Sequence, residues 1–122
     1  MTRILVIDDS RVMRDMLSDF LVDNGFEVVA VEHPADGFTH AREQEFDLCI
    51  CDMHLIGTNG LEVVTRLTSE FPDLRCIITD SLPDENSDQI RLDRNHLYIR
   101  KPFELSQIRD LIQTALTRIR IS

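Results

Sequence analysis

The chain contains no apolar run near the ~20 residues that a membrane span needs, and its first residues show no cationic start leading into a long apolar stretch. The expectation is a cytoplasmic protein with no membrane partner. Basic residues are also short: 13 Lys and Arg stand against 22 Asp and Glu, a net charge of -9, with no basic patch to offset it. A phosphate backbone would be repelled, so direct nucleic-acid binding is not expected. Cysteine is scarce and odd in number. Cys49, Cys51 and Cys76 sit inside apolar runs rather than at metal-ligand spacing, and read as core residues in a reducing compartment. With 43% hydrophobic residues and only four glycines and four prolines, the composition is that of a globular chain and not of a disordered one. At 122 residues, one domain over 1–122 is expected to bury its core without disulfides or structural metal.

What is present is an alternation. Short Val- and Ile-rich runs at Ile4 to Ile7, Phe26 to Val31, Leu48 to Cys51, Cys76 to Thr79 and Leu97 to Ile99 are each too short for a helix and read as strands. Between the first two, Val12, Met13, Met16, Leu17, Phe20 and Leu21 recur at helical spacing, with Asp9 or Ser10 as N-cap and Gly25 at the close. A second helix starts at Pro34 and ends near Gln44, with Ala35, Phe38 and Ala41 inward. The third spans Gly60 to Glu70 with Leu61, Val64 and Leu67 inward. The last carries the stripe Leu105, Ile108, Leu111, Ile112, Ala115, Leu116 and Ile119. Residues 83 to 95 offer only Ile90 and Leu92 as apolar anchors, and are expected to form a short, poorly anchored fourth helix. The alternation predicts an α/β fold: a doubly wound five-stranded parallel sheet with five helices and right-handed crossovers. In such a sheet, ligands gather beyond the carboxyl ends of the strands.

At those ends stand Asp8 and Asp9 after the first strand and Asp52 after the third. Three carboxylates in one cleft call for a cation, and hard oxygen donors with room for water suit Mg²⁺. Thr79 closes the fourth strand, and Lys101 follows the fifth, ahead of Pro102. A nucleophilic carboxylate, a metal, a hydroxyl donor and a fixed positive charge form the set that stabilises phosphoryl oxygens in transfer. Taken singly, an aspartate at a strand end is more often a turn cap than a catalyst. The five residues together, at one edge of one sheet, carry the reading.

These segments resemble the response-regulator receiver family over nearly the whole chain, from Arg3 to about Arg120. ILVIDDS at 4 to 10 is similar to the family's first strand and acidic pair, DLCICDM at 47 to 53 to its phosphoacceptor strand, and YIRKPF at 98 to 103 to its lysine-proline strand. The resemblance implies a flavodoxin-like fold with strand order 2-1-3-4-5. It also implies that Asp52 is the phosphoacceptor and that Asp9, Asp52 and the His54 backbone carbonyl hold Mg²⁺, with Asp8 acting through water. It makes Thr79 and Lys101 the phosphoryl ligands, Tyr98 the aromatic switch and the Lys101–Pro102 bond cis. Lys101 follows Thr79 by 22 residues, the family's usual spacing. By the same resemblance, the phosphoryl group comes from a phosphohistidine on a sensor histidine kinase or histidine phosphotransfer protein, and the acyl phosphate later hydrolyses. The protein is then a phosphoacceptor and not a conventional enzyme. Its face of fourth helix, fifth strand and fifth helix changes preference for an output protein or domain, and is a surface for phosphorylation-dependent homodimers.

Several residues depart from the family pattern. Ile56 replaces the usual proline and implies a looser loop through Gly57 to Gly60. Asp80 stands where a small residue is usual, and its carboxylate either repels an entering phosphoryl group or turns to solvent. Arg94-Asn95 replaces a usual Gly-Ala. The His54 side chain is expected at the cleft mouth, while Arg11, Arg14 and the acidic stretch Asp84 to Asp88 read as solvated faces. Competing readings are a degenerate receiver that binds partners without phosphorylation, an FMN-binding flavodoxin, and an aspartyl-phosphate phosphatase. The flavodoxin would need backbone donors where the first turn is acidic, and the phosphatase would need an acid where His54 stands. The chain is compatible with a stand-alone regulator or with a piece of a longer protein.

Overall fold

A computed structural model describes residues 1–80, 90–93 and 96–117. In chain order the elements are β1 (Arg3–Ile7), α1 (Arg11–Asp23), β2 (Glu27–Val31), α2 (Pro34–Glu43), β3 (Leu48–Asp52), β4 (His54–Leu55) and β5 (Thr58–Asn59). They continue with α3 (Gly60–Glu70), β6 (Arg75–Asp80), β7 (Ile90–Asp93), β8 (His96–Arg100) and α4 (Leu105–Thr117). The main sheet runs β2-β1-β3-β6-β8-β7. Its first five strands are the expected parallel set, in the expected order.

Two features differ from expectation. Residues 90–93, assigned by sequence to a fourth helix, form the sixth strand β7, antiparallel to β8 with Ile90 opposite Ile99 and Asp93 opposite His96. The apolar positions Ile90 and Leu92 are two apart, the period of a strand, and two such positions are too few to define a helical face. The remainder of that expected helix lies outside the described residues, among which there are four helices. Secondly, β4 and β5 pair as a small antiparallel ribbon just after β3, with Gly57 between them at φ 81°. This left-handed turn is open to glycine at little cost.

Alternate residues of each strand feed opposite faces, which gives two cores. Leu5, Ile7, Cys49, Cys51, Cys76 and Ile78 pack under Phe38 and Ala41 of α2 and Val63, Val64 and Leu67 of α3. Ile4, Val6, Leu48, Ile50, Ile77 and Ile99 pack under Leu17 and Leu21 of α1 and Ile108, Leu111, Ile112 and Ala115 of α4. All three cysteines are buried and free, as read from the sequence. Helix α1 is capped by Ser10, whose Oγ accepts the Met13 amide at 3.2 Å. It closes through bonds from the Gly25 amide to Val22 and from the Phe26 amide to Leu21, with Gly25 at φ 88°. On the surface, Arg42 pairs with Glu70 at 2.8 Å, and both Arg42 and Arg66 lie over the Phe38 ring, tying α2 to α3. No helix among the described residues is long and apolar enough to cross a membrane.

Candidate functional site

The parallel register brings the site residues together. Asp52 is the last residue of β3 and lies directly opposite Thr79 of β6; the two strands are stitched beyond that rung by a 2.7 Å bond from the Met53 amide to the Thr79 carbonyl. Asp8 follows β1, the neighbour of β3 on the other side. Lys101 follows β8, and its amide donates to the Asp80 carbonyl at 2.6 Å, fixing where its side chain starts. The Lys101–Pro102 peptide is cis.

Asp8, Asp52 and Thr79 are buried, with Thr79 only 1% exposed. Lys101 Nζ lies between the two carboxylates, 3.4 Å from Asp52 Oδ1 and 3.6 Å from Asp8 Oδ2. The other Asp8 oxygen accepts the Ser10 amide at 2.9 Å. Burial pushes the Asp8 carboxyl above its usual range. The Ser10 amide and the Lys101 charge oppose that shift, while the nearby Asp52 charge adds to it. Asp9 is half-exposed and reaches across to the loop, where Oδ2 accepts the Ile56 amide at 3.0 Å. That bond ties the loop at the position where proline is replaced. Thr79 Oγ1 is buried and has no hydrogen-bond partner among the described residues. Leaving such a hydroxyl unpaired in the apolar interior is costly, so a group that satisfies it is favoured there.

The remaining predicted site residues are placed as follows. Tyr98 is buried, with its ring packed on the α2/α3 side of the sheet. The His54 side chain stands exposed at the cleft mouth, with Nε2 3.0 Å from Asp80 Oδ1. Asp80 therefore does not simply turn to solvent. Among the described residues no three His, Cys, Asp or Glu side chains form a ready metal cage. The donor set still fits Mg²⁺, which is commonly held by one or two carboxylates, waters and a phosphate. A cleft of about 750 Å³ opens at the opposite end of the sheet, between the ends of α2 and α3, and includes none of these residues.

Arg14, expected from the sequence on a solvated face, is instead turned onto the acidic loop. Its guanidinium donates to the backbone carbonyls of Asp8 at 2.8 Å and Asp9 at 3.0 Å, clamping the acidic turn from behind. The signal was available: helical side chains lean toward the N-terminus, and a cation in the first turn of a helix runs against the macrodipole unless something local holds it. Arg14→Ala is expected to cost about 1.5–3 kcal/mol, the range for hydrogen bonds involving a charged group. Arg14→Lys should recover part of that loss; thermal unfolding of the three proteins checks both.

A parallel sheet with an acidic pair, a central aspartate, a hydroxyl and a lysine gathered at its carboxyl edge defines a class of signalling domain. The chain belongs to the response regulator receiver domain family, whose model matches residues 4–113. It is 30% identical over 117 residues to the chemotaxis protein CheY of Bacillus subtilis, covering 93% of this chain and 97% of that protein. It is 29% identical over 120 residues to a two-component response regulator of Arabidopsis thaliana, covering 96% of this chain and 19% of that protein. The chain thus spans about a fifth of the length of the plant regulators it matches. Among solved structures, the response regulator TrrA of Thermotoga maritima, in complex with Mg²⁺-BeF, superposes with a TM-score of 0.80 at 26% identity, covering 95% of this chain and all of that one. TrrA has also been solved in complex with the histidine kinase ThkA, with a TM-score of 0.79 to this chain.

Proposed function

We propose that this receiver accepts a phosphoryl group on Asp52 from a phosphohistidine donor. The observation that carries the reading is the arrangement around Asp52: Lys101 at 3.4 Å on one side, and on the in-register neighbour Thr79 a buried hydroxyl without a partner among the described residues. Asp52 is the nucleophile. One of its oxygens forms the new bond to phosphorus as the phosphorus–nitrogen bond of the donor breaks, and the departing imidazole nitrogen keeps the electron pair. Lys101 balances charge on the transferring oxygens, and Thr79 Oγ1 donates a hydrogen bond to one of them. Asp9, Asp52 and the His54 carbonyl would hold Mg²⁺, with Asp8 helping through water; the metal supplies charge neutralisation at the phosphoryl oxygens when bound. Arg14 and the Ser10 amide keep the acidic turn in place.

The complex of TrrA with ThkA supports a histidine kinase as the donor, and the Mg²⁺-BeF form of TrrA supports the metal. A kinase or phosphotransfer donor of this kind acts in the cytoplasm. The modified site draws Thr79 toward the phosphoryl group, and Tyr98 responds from the adjacent strand, a two-state element biased by new charge and new bonds. The responding surface is built from β7, β8 and α4, and its reader is an output protein or domain.

The test is uptake of phosphate, and of beryllofluoride, by wild type and Asp52→Asn with and without Mg²⁺. Metal-dependent modification that disappears in Asp52→Asn is expected. A folded wild type that takes up neither, from phosphohistidine or small donors, would overturn the reading and leave a phosphorylation-independent binding module.

A further inference from the structure

The cleft at the other end of the sheet takes no part in the chemistry above. It opens beneath the amino ends of β3 and β6, and its walls come from the end of α2, the end of α3 and the last turn of α4. Its floor is apolar and incompletely covered: Leu74 is buried, while Phe46, Phe71 and Leu116 are only half-buried. Its rim is acidic, with five carboxylates against two arginines. Glu70 already pairs with Arg42 at 2.8 Å, and Asp47 accepts the Arg3 amide at 2.9 Å. Glu43 and Glu45, by contrast, are exposed and have no side-chain partner among the described residues. Two like charges on a rim with excess negative charge repel each other and favour a cation.

Leu116 is the last residue but one of α4, so the chain leaves that helix at the cleft itself. Beyond the described residues of α4 the sequence continues as Arg118, Ile119, Arg120, Ile121 and Ser122. Cation and aliphatic alternate strictly, the period that sends arginines to one side of an extended chain and isoleucines to the other. Five extended residues reach about 17 Å, enough to cross a cleft of about 750 Å³. We propose that residues 118–122 dock in this cleft within the same chain, with Arg118 and Arg120 toward Glu43 and Glu45 and with Ile119 and Ile121 on Phe46, Phe71 and Leu116. Tethering at Leu116 gives the segment a high effective concentration, so contacts too weak to capture a free peptide suffice to hold it. The docked segment is a strap under the sheet: it fastens α4, which packs on one face, to the ends of α2 and α3, which pack on the other. It does not depend on phosphorylation.

The test is a charge-reversal cycle on the whole chain, read by urea unfolding at low ionic strength. Its members are wild type, Glu43→Lys with Glu45→Lys, Arg118→Glu with Arg120→Glu, and all four changes together. Docking predicts that the effects do not add: the fourfold variant should unfold with an equilibrium constant about fivefold smaller than the two pairs of changes predict when combined, and high salt should remove the difference. In nuclear Overhauser spectra of wild type, the Ile121 methyl groups should lie beside the Phe46 and Phe71 rings, and these contacts should weaken in Arg118→Glu with Arg120→Glu. Additive reversals, or an Ile121 with no contact to those rings, overturn the strap. So does a contact found only between differently labelled copies in a mixed sample, which would make the cleft a seam between two chains.

Discussion

Replacing Gly60 with alanine should destabilise the protein by about 3 kcal/mol and lower Tm on the order of 10 °C, the upper end for overpacking because the obstacle is backbone. Gly60 opens α3 with its amide bonded to the Met53 carbonyl at 2.7 Å. A Cβ there would press on the Asp52 carbonyl and sit 2.9 Å from Met53 Cα, and neither can swing aside as a side chain could. Relief requires α3 and the end of β3 to separate, which moves Asp52 itself, so loading with phosphate should fall along with stability. Gly57→Ala is the control. That glycine is at φ 81° with open space around it, so its alanine variant should lose about 1–2 kcal/mol from backbone conformation alone and keep Asp52 in place. Thermal unfolding and beryllofluoride uptake of the two variants separate the effects.

The second large effect has the opposite sign. Asp8→Asn should stabilise the metal-free protein by about 1–2 kcal/mol, because it removes a buried charge that faces another carboxylate. The asparagine oxygen can still accept the Ser10 amide. The same change should weaken Mg²⁺ binding about tenfold or more, read by calorimetric titration. The pH dependence follows the same physics. Burial raises the Asp8 carboxyl above 3.8 in the folded state, so between the unfolded value and that raised value the folded protein binds the additional proton. Its contribution to stability is therefore lost as pH rises through that window. Wild type, compared with Asp8→Asn in chelator, should show a gap that widens as pH rises through that window and closes when Mg²⁺ is added. A gap that does not change with pH would count against a strained Asp8 carboxylate.

Legibility in the sequence followed the number of signals each segment carried. The five parallel strands and α1, α2, α3 and α4 were readable because each had a run or a stripe, and α1 had both a cap and a closing glycine. Strand β7 was not, since its four residues offer two apolar positions and the flanking residues suggested a polar helix. The short β4–β5 ribbon likewise carries no periodic signal; it depends on pairing between His54 and Asn59 and between Leu55 and Thr58 across Gly57. At the candidate site, proximity of Asp8, Asp52, Thr79 and Lys101 was readable because strand ends in a parallel sheet share one edge. Side-chain partners were not. That Arg14 turns back onto the acidic loop, that Asp9 holds the Ile56 amide, and that His54 meets Asp80 depend on rotamers, which composition and periodicity do not encode.

Strand β7 changes how force can leave the sheet. A helix lying against a sheet touches it through side chains and can roll by small steps while staying packed. A strand paired in register with β8 has backbone bonds along its length, so it either travels with its neighbour or comes unzipped. Any displacement of Tyr98, whose register partner is Arg91, would meet a backbone ladder rather than a sliding side-chain contact.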